Sequence, residues 1–196
     1  MHNVKPSIFA GMSLWTKIKY GGTALFIVGM LGFSALMMKK AQANIVLFEN
    51  SLDSPGELTL NGKSYGNIAP RQHIRVELDA GSYTLAFAGS GKALDEGKLV
   101  VPDNSKQAWG YRAVYNLGGR KGLGVATKFY GGNMKDGVVP AKEGQRVIEV
   151  PGAQTLDRID DTFPETITVR KNQSFGSVVR VCHIDEEKET VSCPGW

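Results

Sequence analysis

Between Glu57-Leu58-Thr59-Leu60 and Lys63-Ser64-Tyr65-Gly66 lies Asn61-Gly62, the strongest short hairpin signal a sequence carries. A type I′ turn needs positive φ at both central positions, and Asn-Gly supplies it. Outward from this hairpin the same grammar continues. Upstream, residues 45–48 form a short apolar run. Downstream, residues 73–78 alternate, Asp79-Ala80-Gly81 turns, and residues 83–88 alternate back. Residues 98–101 end at Pro102. Residues 108–116 and 124–130 bracket the glycine-rich 118–122, and 138–139, 146–150, 166–170 and 177–184 complete the strand list. Only residues 153–161 read as a helical turn or two. Short strands at this spacing, separated by turn residues, predict a sandwich or barrel.

Leu60-Asn61-Gly62, then Gly66-Asn67-Ile68-Ala69-Pro70, then Leu78-Asp79-Ala80-Gly81-Ser82-Tyr83-Thr84-Leu85 resembles the PEGA-type β domains of bacterial envelope proteins. The likeness covers about residues 57–101. The literal Pro-Glu-Gly-Ala is absent, and Asp79-Ala80-Gly81 stands where Pro-Gly is usual. The resemblance implies a non-catalytic binding or scaffolding module and brings no site residues.

Upstream of the strands, residues 21–38 read GGTALFIVGMLGFSALMM, eighteen residues without a charge. As a helix they would reach about 27 Å, near the hydrocarbon thickness. Lys17 and Lys19 stand before the run and Lys39 and Lys40 after it, with Trp15 and Tyr20 at the expected aromatic belt. Residues 7–20 have the spacing of an amphipathic stub. A cleaved signal peptide is the rival, since Ala41-Gln42-Ala43 is an A-x-A site. Either reading sends the body across the membrane. Three lysines and the α-amino group precede the run and two lysines follow it, which predicts a cytoplasmic N-terminus. The expected placement is a bacterial inner membrane, single-pass, with the C-terminal domain periplasmic. Gly22, Gly29 and Gly32 share a face of this helix and predict a close helix-packing contact.

The expected fold is therefore mostly β: a single N-terminal transmembrane helix followed by an antiparallel β-sandwich-like extracytoplasmic domain. Residues 1–20 form the cytoplasmic or interfacial segment, 21–38 the helix, 39–43 a linker and 44–196 the β domain, with a subdivision near 103–107. Composition agrees with one folded domain plus a short piece: 196 residues, 42% hydrophobic, 21% charged. The net charge of +4 is unevenly placed. The first 43 residues hold five lysines and no acid, so the remaining 153 carry 18 of the 23 basic side chains against 19 acids. A neutral body excludes a nucleic-acid footprint, which needs a basic face on the domain itself.

Cys182 and Cys193 sit symmetrically about Glu187-Lys188, with strand-like residues on both sides. That symmetry places them opposite each other and predicts a disulfide worth about 3 kcal/mol. A redox pair would want C-x-x-C spacing. His2, His73 and His183 look isolated, without zinc spacing. Gly89-Ser90-Gly91-Lys92 fails as a phosphate loop, and Gly118–Gly124 resembles a dinucleotide loop only in glycine count. Arg120 and Lys121 at that tip are candidates for anionic headgroups or a partner. Asp157, Asp160, Asp161 and Glu165 read as a solvated acidic turn, with calcium as the rival. No cofactor, metal or catalytic set is expected.

Trp109, Tyr111 and Tyr115 share one face of a strand. Buried, they are core; exposed, they form a ligand or partner face that stacks on sugar rings. The expected function is a non-enzymatic, membrane-anchored accessory or scaffold subunit, partnered by an integral membrane protein and the lipid bilayer. The alternative is a membrane-tethered module binding glycan or cell wall.

Overall fold

The structure is a computed structural model that describes residues 13, 23, 25–34, 43–104, 110–120, 122–151, 156–169, 171, 173–185, 190–193 and 196. The chain divides into two units, Met1–Ala41 and Gln42–Trp196.

In the first unit the described residues include one short helix through 25–34. No helix among the described residues is long and apolar enough to cross a membrane. This corrects the expected transmembrane helix over 21–38, and with it the single-pass inner-membrane placement. Among the described residues, the helical turns of 25–34 rise about 15 Å, half the hydrocarbon thickness. The described helix also holds Gly29 and Gly32, and a glycine inside a helix costs about 1 kcal/mol relative to alanine. Trp15, Lys17, Lys19, Tyr20, Gly22, Lys39 and Lys40 lie outside the described residues.

The second unit is mostly β. Its central sheet runs β10 (Val147–Glu149), β7 (Arg112–Leu117), β1 (Asn44–Asn50), β4 (His73–Leu78). A second sheet runs β3 (Lys63–Ile68), β2 (Gly56–Leu60), β5 (Gly81–Gly89), β6 (Lys92–Val101). The third runs β12 (Thr190–Val191), β11 (Gly176–Asp185), β8 (Leu123–Tyr130), β9 (Gly137–Pro140). One face of the central sheet buries Val46, Phe48, Ala113 and Tyr115 against Leu58, Leu85, Phe87 and Leu99 of the second sheet. The other face buries Leu47, Val114 and Ile148 against Leu123 and Val181 of the third. Alternate side chains of one strand point to opposite faces, so β1 and β7 sit between two cores. Three layers result, where two were expected.

Burial on both faces explains the continuous apolar run of β1, and it permits a pairing that an antiparallel sandwich lacks. β1 and β7 run parallel, with β2 to β6 between them in the chain and β4 returning to the same sheet on the other side of β1. The expected return of residues 83–88 onto 73–78 does not occur either. β4 pairs with β1, while β5 pairs with β2 and β6. The turn at 79–81 hands the chain from one sheet to another. Residues 166–169 are not a strand; Ile167 and Val169 instead cover Gly176 at the start of β11, where a Cβ would collide with Ile167. The Asn61-Gly62 turn stands as expected, with φ of 49° and 78°.

Candidate functional site

The most densely coupled titratable groups among the described residues gather where the central sheet meets the third. Glu49 lies near the end of β1 and, because both faces of that strand are covered, it is only 1% exposed. A carboxylate that deep needs compensation. Across the β1–β4 pair its Cα partner is His73, whose Nδ1 is 3.7 Å from Oε2. From the facing layer, β11 brings His183 Nε2 to 3.3 Å from Oε1. The other ring nitrogen of His183, Nδ1, meets Asp160 Oδ2.

Asp160 is delivered by a turn in the left-handed region, φ 60°. Its backbone N–H donates to the Val181 carbonyl at 2.8 Å, and its Oδ1 accepts the His183 backbone N–H at 2.7 Å. The turn thus docks on β11 through backbone and side chain together. Hydrogen bonds to Asp160 and then Glu49 push the His183 imidazole up to about 9, against the opposing effect of burial. Burial works against charge on Asp160, yet its bonds to the His183 ring and backbone, with the charges of His183 and His73, hold its carboxyl below the ordinary range. At neutral pH His183 is an imidazolium donating both N–H groups to carboxylates. It acts as an ionic clamp binding β1, β11 and the 159–160 turn. A protonated ring offers no lone pair to a metal, and His73 and His183 approach different oxygens of Glu49.

A second buried acid lies on the other side of the central sheet. Asp95 of β6, with its side chain 1% exposed, pairs with Arg146 and accepts the Gly118 N–H at 2.8 Å. Gly118 has φ 83°, a left-handed value that favours glycine. Arg120, expected to meet anionic headgroups or a partner, is paired with Asp53 at 2.6 Å. Lys121 is outside the described residues.

Comparisons of the chain with family models, curated proteins and solved structures give no match.

The expected site residues fare differently from one another. Cys182 and Cys193 form a disulfide, with Cα atoms 5.3 Å apart. The pairing Ile184↔Val191 and the Ser192 N–H bond to His183 O set these two residues opposite one another. Tyr111 and Tyr115 are core residues, 8% and 0% exposed, and Tyr115 packs on Phe48 with ring centroids 5.7 Å apart. They present no ligand face; Trp109 lies outside the described residues. The acidic patch does not act as a unit, since Asp157 pairs with Arg75 at 3.1 Å while Asp160 serves His183. Gly29 and Gly32 are open, a Cβ at either meeting nothing within 4 Å.

Reading His73 and His183 as isolated missed the ionic cluster. The signal was Glu49 itself: an acid inside a strand reading Asn-Ile-Val-Leu-Phe-Glu-Asn must be buried and must find a cation. Among the described residues one trio could gather a metal. Asp160, Cys182 and Cys193 each place a ligand atom within 4.8 Å of the others. While the disulfide is closed, that trio offers one carboxylate only.

Proposed function

We propose that this chain is a non-enzymatic accessory or scaffold subunit that works by contact with a partner protein. The observation that carries this reading is the short helix. Leu25, Phe26, Val28, Met30, Leu31 and Phe33 are each more than half exposed on a helix apolar on all sides. Such a surface is stable in water only when something apolar covers it. Phe26, Gly29, Met30 and Phe33 line a shallow groove along it, and the two open glycines leave room for close backbone approach. The body supports the non-enzymatic half. Its best-placed chemical groups are spent on each other: His183 on Asp160 and Glu49, Asp95 on Arg146, Arg75 on Asp157. The glycan alternative rested on the aromatic row, and two of its three members are core.

Co-purification of the full chain tests the reading. Phe26→Asp and Phe33→Asp should each release a stoichiometric partner, because a carboxylate in an apolar contact stays unpaired. Gly29→Leu should do the same by bulk, while Val28→Leu should retain the partner. A chain that purifies as a lone monomer, or that keeps its partner through Phe26→Asp, overturns the proposal.

A further inference from the structure

The disulfide and the ionic cluster share a residue, and that sharing has chemical content. Cys182 is fully buried and Cys193 is 6% exposed, packed with Ala126 and Phe163. Successive residues of β11 point to opposite faces, so Cys182 and His183 look into different layers. Asp160 sits at the strand edge between them. Its carboxylate bonds His183 and also lies within 4.8 Å of both sulfurs. We infer that opening the Cys182–Cys193 disulfide converts this corner into a binding site for a thiophilic divalent cation of the zinc class, ligated by Cys182 Sγ, Cys193 Sγ and Asp160.

The chemistry balances with a dithiol as reductant. Its thiolate attacks the more exposed Cys193 sulfur, and its second thiol resolves the mixed disulfide. The donor leaves as a cyclic disulfide and the chain gains two thiols. The cation then displaces both thiol protons, giving a dithiolate with two protons released. Geometry favours the closed result. Zinc holds sulfur at about 2.3 Å and carboxylate oxygen at about 2.0–2.2 Å, which spaces neighbouring ligand atoms about 3.5–3.8 Å apart. Reduction lets the two sulfurs move apart from bonding distance, about 2.05 Å, to that spacing, while the Asp160 oxygen, within 4.8 Å of both, moves in. Asp160 keeps capacity for the metal, since an ionised carboxylate has about four lone-pair sites and two are taken by His183. Those two bonds also orient it, as partners of metal-ligating carboxylates do. Three protein ligands leave one tetrahedral position open to water. The site depends on the redox state of the chain and is independent of the proposed partner contact.

Cobalt(II) is the probe, because thiolate ligation gives it a near-ultraviolet charge-transfer absorption. The full chain is reduced with a dithiol, freed of reductant without oxygen, and titrated. The oxidised chain should show no such absorption. The reduced chain should take up one equivalent, released by zinc. Asp160→Asn, which keeps an acceptor for the His183 N–H, should weaken uptake at least about tenfold, given that loss of outer partners alone costs that much. Cys193→Ser should be silent. A reduced chain that binds no cobalt overturns the inference, and so does one that fails to bind because its β-sheet circular dichroism is lost. Equal uptake by Asp160→Asn, or uptake by Cys193→Ser, does the same. Should Asp160→Asn not fold, the cobalt d–d bands of the native chain decide: intense four-coordinate bands support the site and weak six-coordinate bands refute it.

Discussion

Glu49 and Asp95 are both buried acids, with side chains 2% and 1% exposed, and the fold compensates them in opposite ways. Asp95 has an arginine, a cation at any ordinary pH, and a backbone N–H from Gly118. Glu49 has two histidines, one of them tied in turn to Asp160. The first pair joins the second sheet to the segment leading into β10; the second joins the third layer to β1. One junction is therefore fixed electrostatically, and the other depends on protons. A titratable partner makes the same burial conditional.

The largest effect should come from Arg146→Ala. It strands Asp95 in the interior, and breaking a buried pair from one side costs about 3–5 kcal/mol. His183→Ala should cost less, about 2–3 kcal/mol, because Glu49 keeps His73 nearby and the partly exposed Asp160 can turn to water. Urea unfolding of both variants checks the ranking. A His183→Ala loss equal to that of Arg146→Ala would mean that the two junctions are equally rigid.

The contrast between the junctions also marks what the sequence made legible. Features set by neighbours in the chain were readable: the Asn61-Gly62 turn, and the mirror symmetry that brings Cys182 to Cys193. The strand pattern gave a β-rich body, but it could not say which strand pairs with which. A run such as that of β1 reports burial on two faces and leaves its partners, β4 and the parallel β7, unspecified. The ionic cluster was lost for the same reason. Glu49, His73, Asp160 and His183 come from four separate segments and meet only through long-range pairing and layer packing. Asp95 and Arg146 are likewise 51 residues apart. The expectation at residues 21–38 rested on composition, and no helix among the described residues is long and apolar enough to cross a membrane.

A smaller effect separates the junctions by pH. The folded His183 imidazole titrates at about 9, above its unfolded value near 6.5. Its stabilising contribution is therefore complete below pH 6.5 and is lost as pH rises through about 9. With the ring about one-third exposed, solvent screening leaves roughly 1–2 kcal/mol of this. Asp160, shifted downward, adds an acid limb: its contribution is present above the unfolded carboxylate value and is lost as pH falls through the lower folded one. Unfolding midpoints measured across this range should decline on the alkaline side. The decline should vanish in His183→Gln and persist in Arg146→Ala. A wild-type curve flat from pH 6.5 to 9.5 would refute the proton-dependent junction.

The smallest effect concerns a buried group compensated by neither device. Tyr115 is fully buried, and its hydroxyl has no hydrogen-bond partner among the described residues. Burial alone raises the phenol above its ordinary value. What the fold supplies is space: a Cβ on Gly97 would run into this oxygen, yet would stand 3.7 Å from Cζ, an ordinary contact. Removing the oxygen should therefore relieve a desolvated polar atom, so Tyr115→Phe should stabilise the body by up to about 1 kcal/mol. Gly97→Ala should destabilise the wild type through overpacking. In the Tyr115→Phe background the same alanine meets only the ring edge, and most of that loss should disappear. A double-mutant cycle by urea unfolding reads the coupling, expected to be about 1 kcal/mol in favour of the double variant. Zero coupling would show that Gly97 is needed for the backbone of β6 itself. A Tyr115→Phe variant less stable than wild type by more than about 1 kcal/mol would show that the hydroxyl is hydrogen-bonded after all.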